Sequence, residues 1–441
     1  MKRTTVLAVA LVLLLSMSLV QAQDYADVDP SGQNVVYWHQ YSEDSSQGDT
    51  IAALIEEFNS TNEYGITVEG VHQGSYGPIE DLMNTAILAG ELPNLVAGYA
   101  NAIAGWASEG VVVDVDAFLN SPEWGIEDQS VLNFSLLDVN KLDFAPFDGM
   151  RVAWANQNSV NVFYTNLDIV EALGFERRAP QTLAEFEEIA CAAGASEEYE
   201  GYPLDTFTSH FESFVAANGG VIFDAEAGEY VFESDAVVAT MELFTRMLEN
   251  GCAYLYAEPY QNTGDFSKGI TPFAAGSSAG IPYIVSDAET AEMTDEWVAT
   301  AFPGAEGVGP TIQLFVPSQA ILTSSPEAEL ATWLFVKFLA GQDAQLAWTG
   351  ATGYFSIRND IDVTEADFTE PRLPFARFQE VQALVQDDAV GVYASPGLPS
   401  YTALRGVMPE TISAVVNGDA VIADALAELN AEAAELRAEL D

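Results

Sequence analysis

Near its amino terminus the chain alternates between strand-like and helix-like patterns, and this alternation constrains the fold more than any other feature. Apolar, β-branched and aromatic runs predict three strands, at residues 35–38, 66–71 and 95–97. Apolar residues at helical spacing predict a helix after each of the first two strands, one capped by Asp49 and one opened by Pro78. A β-α-β-α-β order implies parallel strands with right-handed crossovers, so we predict an α/β protein.

The carboxyl ends of these strands carry the first candidate binding residues. In open α/β sheets, ligands bind outside the carboxyl ends of the strands. The side chains that follow the three strands can form hydrogen bonds or pack against a ligand: His39, Gln40, Tyr76, Tyr99 and Asn101. We therefore expect a binding site at this edge. The alternative is that Tyr76 and Tyr99 are half-buried packing residues.

The rest of the chain continues to alternate between strands and helices. An irregular stretch between residues 110 and 160 is rich in Asp, Asn and Trp. Beyond it, strands are predicted at residues 161–164 and 314–321, and helices at residues 183–194 and 237–248. The alternation thus extends the α/β prediction along most of the sequence.

The amino terminus has the pattern of a secretory signal. Lys2 and Arg3 precede an apolar run at residues 6–15, which is too short to span a bilayer comfortably. Cleavage after Ala22 is expected, so residues 1–22 are predicted to be a signal peptide; the alternative is an uncleaved anchor. No Cys follows the apolar run, so we predict an exported protein, periplasmic or extracellular, without a lipoprotein Cys.

The sequence contains two cysteines, Cys191 and Cys252. An even number of cysteines in an exported chain predicts a disulfide, because the compartment is oxidising. The bridge would close a loop of about 61 residues. The alternative is a pair of buried free thiols.

The acidic composition limits the possible partners. The chain has 67 acidic and 14 basic residues, which gives a formal net charge of −53. Such a charge argues against nucleic acid or an anionic membrane surface as a partner. It also leaves few basic residues that could hold an anionic ligand.

Sequence motifs of catalysis and metal binding are absent. The sequence has no phosphate-binding glycine loop of the Walker type, no zinc-spaced cysteine pairs and no nucleophile elbow. The histidines His39, His72 and His210 lie far apart in sequence, so we predict neither a metal site nor a cofactor. A secreted glycoside hydrolase remains the alternative function. It needs two carboxylates at a defined separation, and the sequence singles out no pair.

Several short motifs occur in an order that resembles one known family. They are Val36-Tyr37-Trp38-His39, Gly74-Ser75-Tyr76, Gly90-Glu91-Leu92-Pro93-Asn94, Asn158-Ser159, Phe163-Tyr164-Thr165-Asn166, Ser277-Ser278 and the segment from Thr349 to Tyr354. In this order they resemble the family 1 extracellular solute-binding proteins of ABC importers, whose members include glycerol-3-phosphate and maltose receptors. The resemblance covers essentially the whole mature chain and is closest to the glycerol-3-phosphate type.

The resemblance implies a two-lobed periplasmic-binding-protein fold of the class II type, with the ligand in an interlobe cleft. Lobe 1 would hold residues 24–159 and 313–348, and lobe 2 would hold residues 160–312 and 349–441. The implied function is that of a receptor, not an enzyme, which captures a carbohydrate or sugar-like solute by hinge closure. Its partners would be the small-molecule solute and an ABC permease in the membrane, and we expect a monomer.

The resemblance and the chemistry of sugars together suggest roles for individual residues. The C–H faces of a sugar pack on aromatic rings, and its buried hydroxyls need hydrogen bonds. Candidate stacking residues are Tyr76, Phe207 and Tyr354; candidate hydroxyl partners are Gln40, Asn101, Asn158, Ser159 and Ser278. Arg405 aligns with the arginine that such receptors use on a phosphate. It could hold an anionic group, or it could form an ion pair with an aspartate.

Overall fold

A computed structural model describes residues 25–441, except residues 44, 145–146, 257, 259 and 370–371. The predicted signal peptide, residues 1–22, lies outside the described residues. Among the helices within those ranges, none combines the length and the apolar character of a membrane span.

The first part of the chain contains the predicted alternation, followed by short elements. In chain order they are β1 (Asn34–His39), α1 (Ser46–Thr61), β2 (Thr67–His72), α2 (Tyr76–Ala89), β3 (Leu95–Gly98), α3 (Ala100–Ser108), α4 (Asp116–Leu119), α5 (Phe134–Leu137), β4 (Lys141–Leu142), β5 (Met150–Arg151) and β6 (Trp154–Ala155).

The remaining elements alternate in the same way. They are β7 (Ser159–Asn166), α6 (Leu167–Ala172), α7 (Leu183–Gly194), β8 (Tyr202–Leu204), α8 (Thr208–Ala217), β9 (Phe223–Asp224), β10 (Glu229–Tyr230), α9 (Asp235–Glu249), β11 (Ala253–Leu255), α10 (Gln261–Ser267), β12 (Phe273–Ser277), α11 (Ile281–Thr290), β13 (Trp297–Thr300), β14 (Thr311–Phe315), β15 (Ser318–Ile321), α12 (Pro326–Leu339), α13 (Gln342–Thr352), α14 (Phe375–Gln386), β16 (Gly391–Ala394), α15 (Pro399–Val416) and α16 (Ile422–Leu440).

Both predicted helix starts near the amino terminus are displaced in the structure. Helix α1 is capped by Ser45, whose hydroxyl accepts a hydrogen bond from the Gly48 amide, so Asp49 lies in the first turn instead. An acidic residue there still favours the helix through its dipole. Helix α2 begins two residues before Pro78, at Tyr76, so the tyrosine is part of the helix start.

Two mixed sheets organise the molecule. In the first, the strand order is β2-β1-β3-β15-β6, with β1 parallel to β2 and β3 and with β15 antiparallel to β3. In the second, the order is β12-β7-β14-β16, and β13 also pairs with β7. Helices alternate with these strands along the chain, so the α/β prediction is confirmed.

Each sheet separates two hydrophobic cores, as expected from the alternation of side chains along a strand. In β3, Leu95 and Ala97 join one core of the first sheet and Val96 joins the other. In β7, Phe163 joins one core of the second sheet and Tyr164 joins the other. Two sheets with separate cores form two lobes, which confirms the predicted architecture.

The chain passes between the lobes at three points, two of which are neighbours. These two join β6 of the first sheet to β7 of the second and β14 to β15. The third joins α13, whose Trp348 lies in a core of the first lobe, to α14, whose Phe378 lies in a core of the second. The prediction of a single strand at residues 314–321 is therefore wrong. Pro317 lies between β14 and β15, and because proline has no amide hydrogen it cannot continue a strand ladder.

The predicted disulfide is confirmed. Cys191 of α7 is bonded to Cys252, which precedes β11, and both pack into the same core of the second lobe. The backbones approach closely beside the bridge, because a Cβ added to Gly194 would overlap the carbonyl oxygen of Gly251. The bridge thus holds α7 against the start of β11.

Candidate functional site

The two lobes meet at a small cavity that three of the predicted binding residues line. Tyr99 and Asn101 come from the first lobe, at the carboxyl end of β3, and Arg405 comes from α15 of the second lobe. The cavity has a volume of about 80 Å³ and is also lined by Ser209 and Tyr401. The strand-end position expected from the β-α-β pattern is therefore part of the interlobe boundary.

Gln157, which the sequence analysis missed, lies at the centre of the first passage between the lobes. Its Oε1 atom accepts hydrogen bonds from Gln40 Nε2 at 2.7 Å and from the Tyr76 hydroxyl at 3.3 Å. Two buried amide atoms are left without a protein partner, Gln40 Oε1 and Gln157 Nε2. The pair thus retains one acceptor and one donor, and unpaired buried groups of this kind are costly unless another molecule satisfies them.

Aromatic rings surround this amide pair. Tyr76 contacts Tyr99 edge-on with ring centroids 4.8 Å apart, and Tyr354 stacks on Trp348 at 5.9 Å. Trp348 in turn contacts Tyr41 edge-on at 5.1 Å. Burial raises the pKa of Tyr99 to about 12, against an opposing effect of the Arg405 charge. Burial also raises the pKa of Tyr76 and of Tyr354, so these phenols stay neutral and can donate hydrogen bonds.

Asn158, Ser159 and Ser278 converge at the same passage. Asn158 Nδ2 donates to the Phe355 carbonyl at 3.3 Å, and its Oδ1 atom is buried without a partner. The Ser277 hydroxyl donates to the Ser159 hydroxyl at 3.0 Å, and the Ser278 hydroxyl accepts from the Val160 amide at 3.2 Å. These side chains fasten the start of β7, and contact with a solute stays a prediction for each.

Asn101 and Arg405 already contact the protein across the cavity. Asn101 Nδ2 donates to the Thr402 hydroxyl at 2.8 Å, which bridges the lobes. Arg405 is exposed, and its Nη1 atom donates to the Ser209 hydroxyl at 3.2 Å and the Tyr401 hydroxyl at 3.4 Å.

Among the described residues, no carboxylate oxygen lies within 4.0 Å of the Arg405 guanidinium. By contrast, seven other arginines each lie within 4.0 Å of a carboxylate oxygen: Arg151, Arg177, Arg178, Arg246, Arg358, Arg377 and Arg437. Arg405 is therefore a cation whose hydrogen-bond partners are both neutral hydroxyls.

A buried carboxylate lies behind Arg405. Glu212 of α8 accepts hydrogen bonds from the Tyr401 hydroxyl, from Ser395 Oγ at 2.7 Å and from Gln313 Nε2 at 2.6 Å. Burial raises its pKa, while these bonds and the charge of Arg405 lower it. One feature of the sequence could have indicated this residue: Glu212 is a charged residue between apolar residues of α8, where Phe211 and Phe214 are buried.

His39 and Phe207, two further predicted binding residues, differ in exposure: His39 is buried and Phe207 is exposed. His39 is 6% exposed, its ring contacts Tyr37 and Tyr41, and its Nδ1 atom is buried without a partner. Burial lowers its pKa to about 4, with a smaller effect from His72, so the ring is neutral at pH 7. Phe207 precedes α8 and is 60% exposed, close in sequence to Ser209 of the cavity lining.

Within the described ranges, no three His, Cys, Asp or Glu side chains come together in an arrangement that could hold a metal ion. The candidate site is thus composed of phenols, amides, hydroxyls and one arginine, which suits recognition by hydrogen bonding and stacking.

The sequence was compared with protein families. A family model described as bacterial extracellular solute-binding protein matches residues 53–372. No curated protein matches the sequence.

The fold was compared with solved structures, and several match over almost their full length. The GacH receptor of Streptomyces glaucescens, solved unliganded and with acarbose, has a TM-score of 0.76 and 15% identity, covering 93% of this chain and 99% of that chain. UgpB from Mycobacterium tuberculosis in complex with glycerophosphocholine has a TM-score of 0.75 and 18% identity, covering 92% and 98%. Maltose-bound MalE3 from T. maritima has a TM-score of 0.74 and 19% identity, covering 91% and 99%. At these identities the likeness shows the fold alone.

Proposed function

We propose a function from one premise: the chain belongs to the family of bacterial extracellular solute-binding proteins, which are receptors and not enzymes. On that premise, the protein is the solute receptor of an ABC importer. It captures a carbohydrate or sugar-like solute between its two lobes and releases the solute unchanged. A glycoside hydrolase, the alternative from sequence, finds no support in this family.

One observation carries the proposal. Neutral phenols and unpaired amide atoms of the first lobe and the first passage lie at the boundary between the lobes, which Tyr401 and Arg405 line from the second lobe. Tyr76 and Tyr354 offer ring faces or edges for the C–H surface of a sugar ring. Gln40, Gln157 and Asn158 offer hydrogen-bonding atoms for its hydroxyls. Among the similar structures, the GacH receptor was solved with acarbose, MalE3 with maltose and UgpB with glycerophosphocholine, so two carbohydrates and one glycerol phosphodiester bind to proteins of this fold.

Binding would proceed by closure about the passages between the lobes. Two of these passages are short, residues 156–158 and 316–317, and they lie side by side because Ser159 of β7 pairs with Phe315 of β14. A solute that contacts both lobes binds the closed form more tightly than the open form, so it shifts the population toward closure. A membrane permease would then recognise the closed shape.

Arg405 makes the site compatible with anionic as well as neutral solutes. Its neutral first neighbours leave the guanidinium available for a carboxylate or phosphate, which it can bind with two parallel hydrogen bonds. Glu212 lies one hydroxyl away and partly balances its charge. A sugar phosphate, a sugar acid or a neutral sugar is therefore compatible with the site.

The remaining parts of the proposal concern location and partners. The protein acts outside the cytoplasm, in the periplasm or at the cell exterior, and its mature form carries no lipid-modified Cys. It works as a monomer that meets a permease in the membrane. Its negative charge disfavours nucleic acid and anionic lipid surfaces.

A thermal-shift panel tests the proposed function. The purified protein is heated with monosaccharides, oligosaccharides, polyols and glycerol phosphates, each added separately. A ligand present at one hundred times its Kd should stabilise the fold by about 2.7 kcal/mol, which raises the melting temperature by several degrees. A panel in which no compound shifts the melting temperature would refute a carbohydrate or sugar-like solute.

A further inference from the structure

Glu212, in α8 of the second lobe, is the most deeply buried carboxylate among the described residues, with 3% of its surface exposed. Its two oxygens accept hydrogen bonds from the Tyr401 hydroxyl, from Ser395 Oγ and from Gln313 Nε2. These donors are all neutral, and within the described part of the chain no nitrogen of Lys, Arg or His lies within 4.0 Å of the carboxylate. A buried charge without an ionic partner is costly, so this carboxylate is a candidate for a role beyond packing.

The Tyr401 hydroxyl joins this carboxylate to Arg405. Its single proton takes the shorter of two possible bonds, to Glu212 rather than to Ser395. Its oxygen therefore faces Arg405 as an acceptor and receives a hydrogen bond from Nη1 at 3.4 Å. The guanidinium carbon also lies 5.7 Å from the centre of the Tyr401 ring. Glu212 thus fixes the direction of a hydroxyl that helps to hold Arg405.

We propose that Glu212 is a positioning residue for Arg405, and that its ionisation decides how much positive charge the guanidinium presents to a solute. With Glu212 ionised, the pair is close to neutral and favours an uncharged solute. With Glu212 protonated, the charge of Arg405 is uncompensated and favours an anionic group. An anionic solute therefore binds together with a proton, which passes from the solvent to the Glu212 carboxylate. This inference rests on the proposed function and concerns the regulation of the same site.

The direction of the effect follows from the surroundings of Glu212. Burial raises its pKa above the ordinary value of 4.5, while the bonds from Tyr401 and Ser395 and the charge of Arg405 lower it. The carboxyl therefore gains its proton at a higher pH than an exposed glutamate does. An anion beside Arg405 offsets the charge of the arginine and raises the pKa of Glu212 further. By linkage, affinity for an anion increases as the pH falls.

Titratable side chains from other elements also surround Glu212. Tyr230 of β10, Tyr393 of β16 and Tyr401 of α15 interact electrostatically with its carboxylate. Lys141 of β4 lines the same cavity from the first lobe. Burial raises the pKa of all three phenols, so they stay neutral near pH 7. The proton that binding takes up is therefore assigned to the carboxylate and not to a phenol.

The first lobe places two more titratable groups near Arg405. Glu80 of α2 and Tyr99 both interact electrostatically with the guanidinium, and burial raises the pKa of each. Tyr99, whose pKa is raised to about 12, stays neutral. Glu80 is a second carboxyl that can take up a proton beside Arg405, so the experiment has to separate it from Glu212.

The test measures the binding of anionic probes as a function of pH. Glucose 6-sulfate and inorganic sulfate carry no group that titrates between pH 5 and pH 8, and glucose is the neutral counterpart. These probes, and the neutral compound with the largest shift in the thermal panel, are titrated by calorimetry at fixed ionic strength. Titration in two buffers with different protonation enthalpies counts the protons that binding takes up.

Three variants address the named groups. Glu212→Gln removes the charge and keeps the volume of the side chain. Tyr401→Phe removes the hydroxyl that joins Glu212 to Arg405 and keeps the ring. Glu80→Gln removes the other carboxyl near Arg405. Melting temperatures without any probe verify that each variant folds, and if Glu212→Gln does not fold, the pH profile of Tyr401→Phe decides.

The matched control is Glu329→Gln. Glu329 is also a buried carboxylate, 8% exposed, and it also accepts a hydrogen bond from a tyrosine, Tyr25, at 2.6 Å. It lies on α12 of the first lobe, in contact with no residue of the cavity lining named above. The control is needed because a chain with a net charge of −53 repels every anion, and this general repulsion also weakens as the pH falls.

In the natural protein, affinity for the sulfate probes should rise as the pH falls from 8 to 5, with uptake of protons. At pH 8, Glu212→Gln should bind these probes about tenfold more tightly than the natural protein, because a nearby negative charge is gone. It should also lose the proton uptake, while its affinity for neutral compounds stays the same. In Tyr401→Phe the rise should begin at a higher pH, because the lost hydrogen bond lowers the pKa of Glu212. Glu80→Gln and Glu329→Gln should keep the rise and the uptake.

Several results would overturn the proposal. Glu212→Gln could keep the natural pH dependence, or Glu80→Gln could abolish it instead. Equal changes for neutral and anionic probes in Glu212→Gln would indicate a purely structural role. Failure of both the natural protein and Glu212→Gln to bind any sulfate probe between pH 5 and pH 8 would also refute it. In each case the proposed function stands if any compound of the panel binds, and it fails as well if none does.

Discussion

The side-chain amide of Asn101 donates a hydrogen bond of 2.8 Å to the hydroxyl of Thr402, and this bond joins α3 of the first lobe to α15 of the second. The surrounding surfaces also lie close together, because a Cβ added to Gly397 would meet the Ala100 side chain at 3.5 Å. The lobes therefore touch directly beside the cavity. Asn101, expected from sequence to bind the solute, here forms a hydrogen bond between the two lobes.

The first prediction separates these two roles of Asn101. If Asn101 acts only through Thr402, then Asn101→Ala and Thr402→Val each remove the same hydrogen bond, worth about 0.5–1.5 kcal/mol. Each should weaken solute binding by about 2–10-fold, and the double variant should be no weaker than either single one. The measurement is titration calorimetry on the four proteins of the cycle. A larger loss for Asn101→Ala than for Thr402→Val would show direct contact with the solute.

The second prediction concerns the aromatic residues. Tyr76→Ala and Tyr354→Ala should each weaken solute binding by more than tenfold, because each removes a ring against which the solute packs. Binding is measured by calorimetry, and circular dichroism verifies the fold. Leu88→Ala is the matched control on α2, since Leu88 is 91% exposed and far along the helix from Tyr76. Unchanged affinity in both tyrosine variants would remove them from the site.

The third prediction is a pH dependence of stability that arises from His39. Burial lowers its folded pKa to about 4, below the ordinary value of 6.5. As pH falls below 6.5 the unfolded chain binds a proton that the folded chain does not, so the free energy of unfolding decreases until about pH 4. The full loss is about 3 kcal/mol.

Urea unfolding between pH 7 and pH 4 tests this prediction. Between pH 7 and pH 4, the free energy of unfolding should decrease by about 3 kcal/mol less in His39→Gln than in the natural protein. Burial also lowers the pKa of His210, and its effect remains in both proteins. Equal decreases in the natural protein and in His39→Gln would contradict the account of His39.

The fourth prediction concerns the bridge between Cys191 and Cys252. Without the bridge, the unfolded chain is no longer constrained by a closed loop of 61 residues. The double variant Cys191→Ser and Cys252→Ser should lose about 4 kcal/mol in the free energy of unfolding. Chemical denaturation of the oxidised natural protein and the variant measures the difference. The natural protein in the presence of a reductant should match the variant, and a natural protein insensitive to reductant would contradict the prediction.

Elements with a strong local pattern were predictable from sequence. Strands β1, β2 and β3 and the helices between them follow apolar spacing that depends on neighbouring residues alone. The order of these elements also predicted the edge of the sheet at which Tyr99 and Asn101 lie. The disulfide followed from the number of cysteines and the predicted export.

Features that depend on contacts between distant segments were not predictable. The run at residues 314–321 has the pattern of one strand, but its two halves pair with different sheets on either side of Pro317. Gln157 has no local signal, because its partners Gln40 and Tyr76 come from far along the chain. The same holds for the bond from Tyr401 to Glu212, which joins two helices of the second lobe.

The central claim, that two lobes enclose a solute and release it unaltered, is tested most directly by recovery of the bound molecule. A solute that stabilises the fold is titrated into the protein by calorimetry, the complex is denatured, and the released molecule is weighed by mass spectrometry. We predict one solute bound per chain and a released mass identical to that of the molecule added. A changed mass, or a binding signal that persists when Tyr76, Gln157 and Tyr354 are all replaced by alanine in a folded variant, would contradict the account.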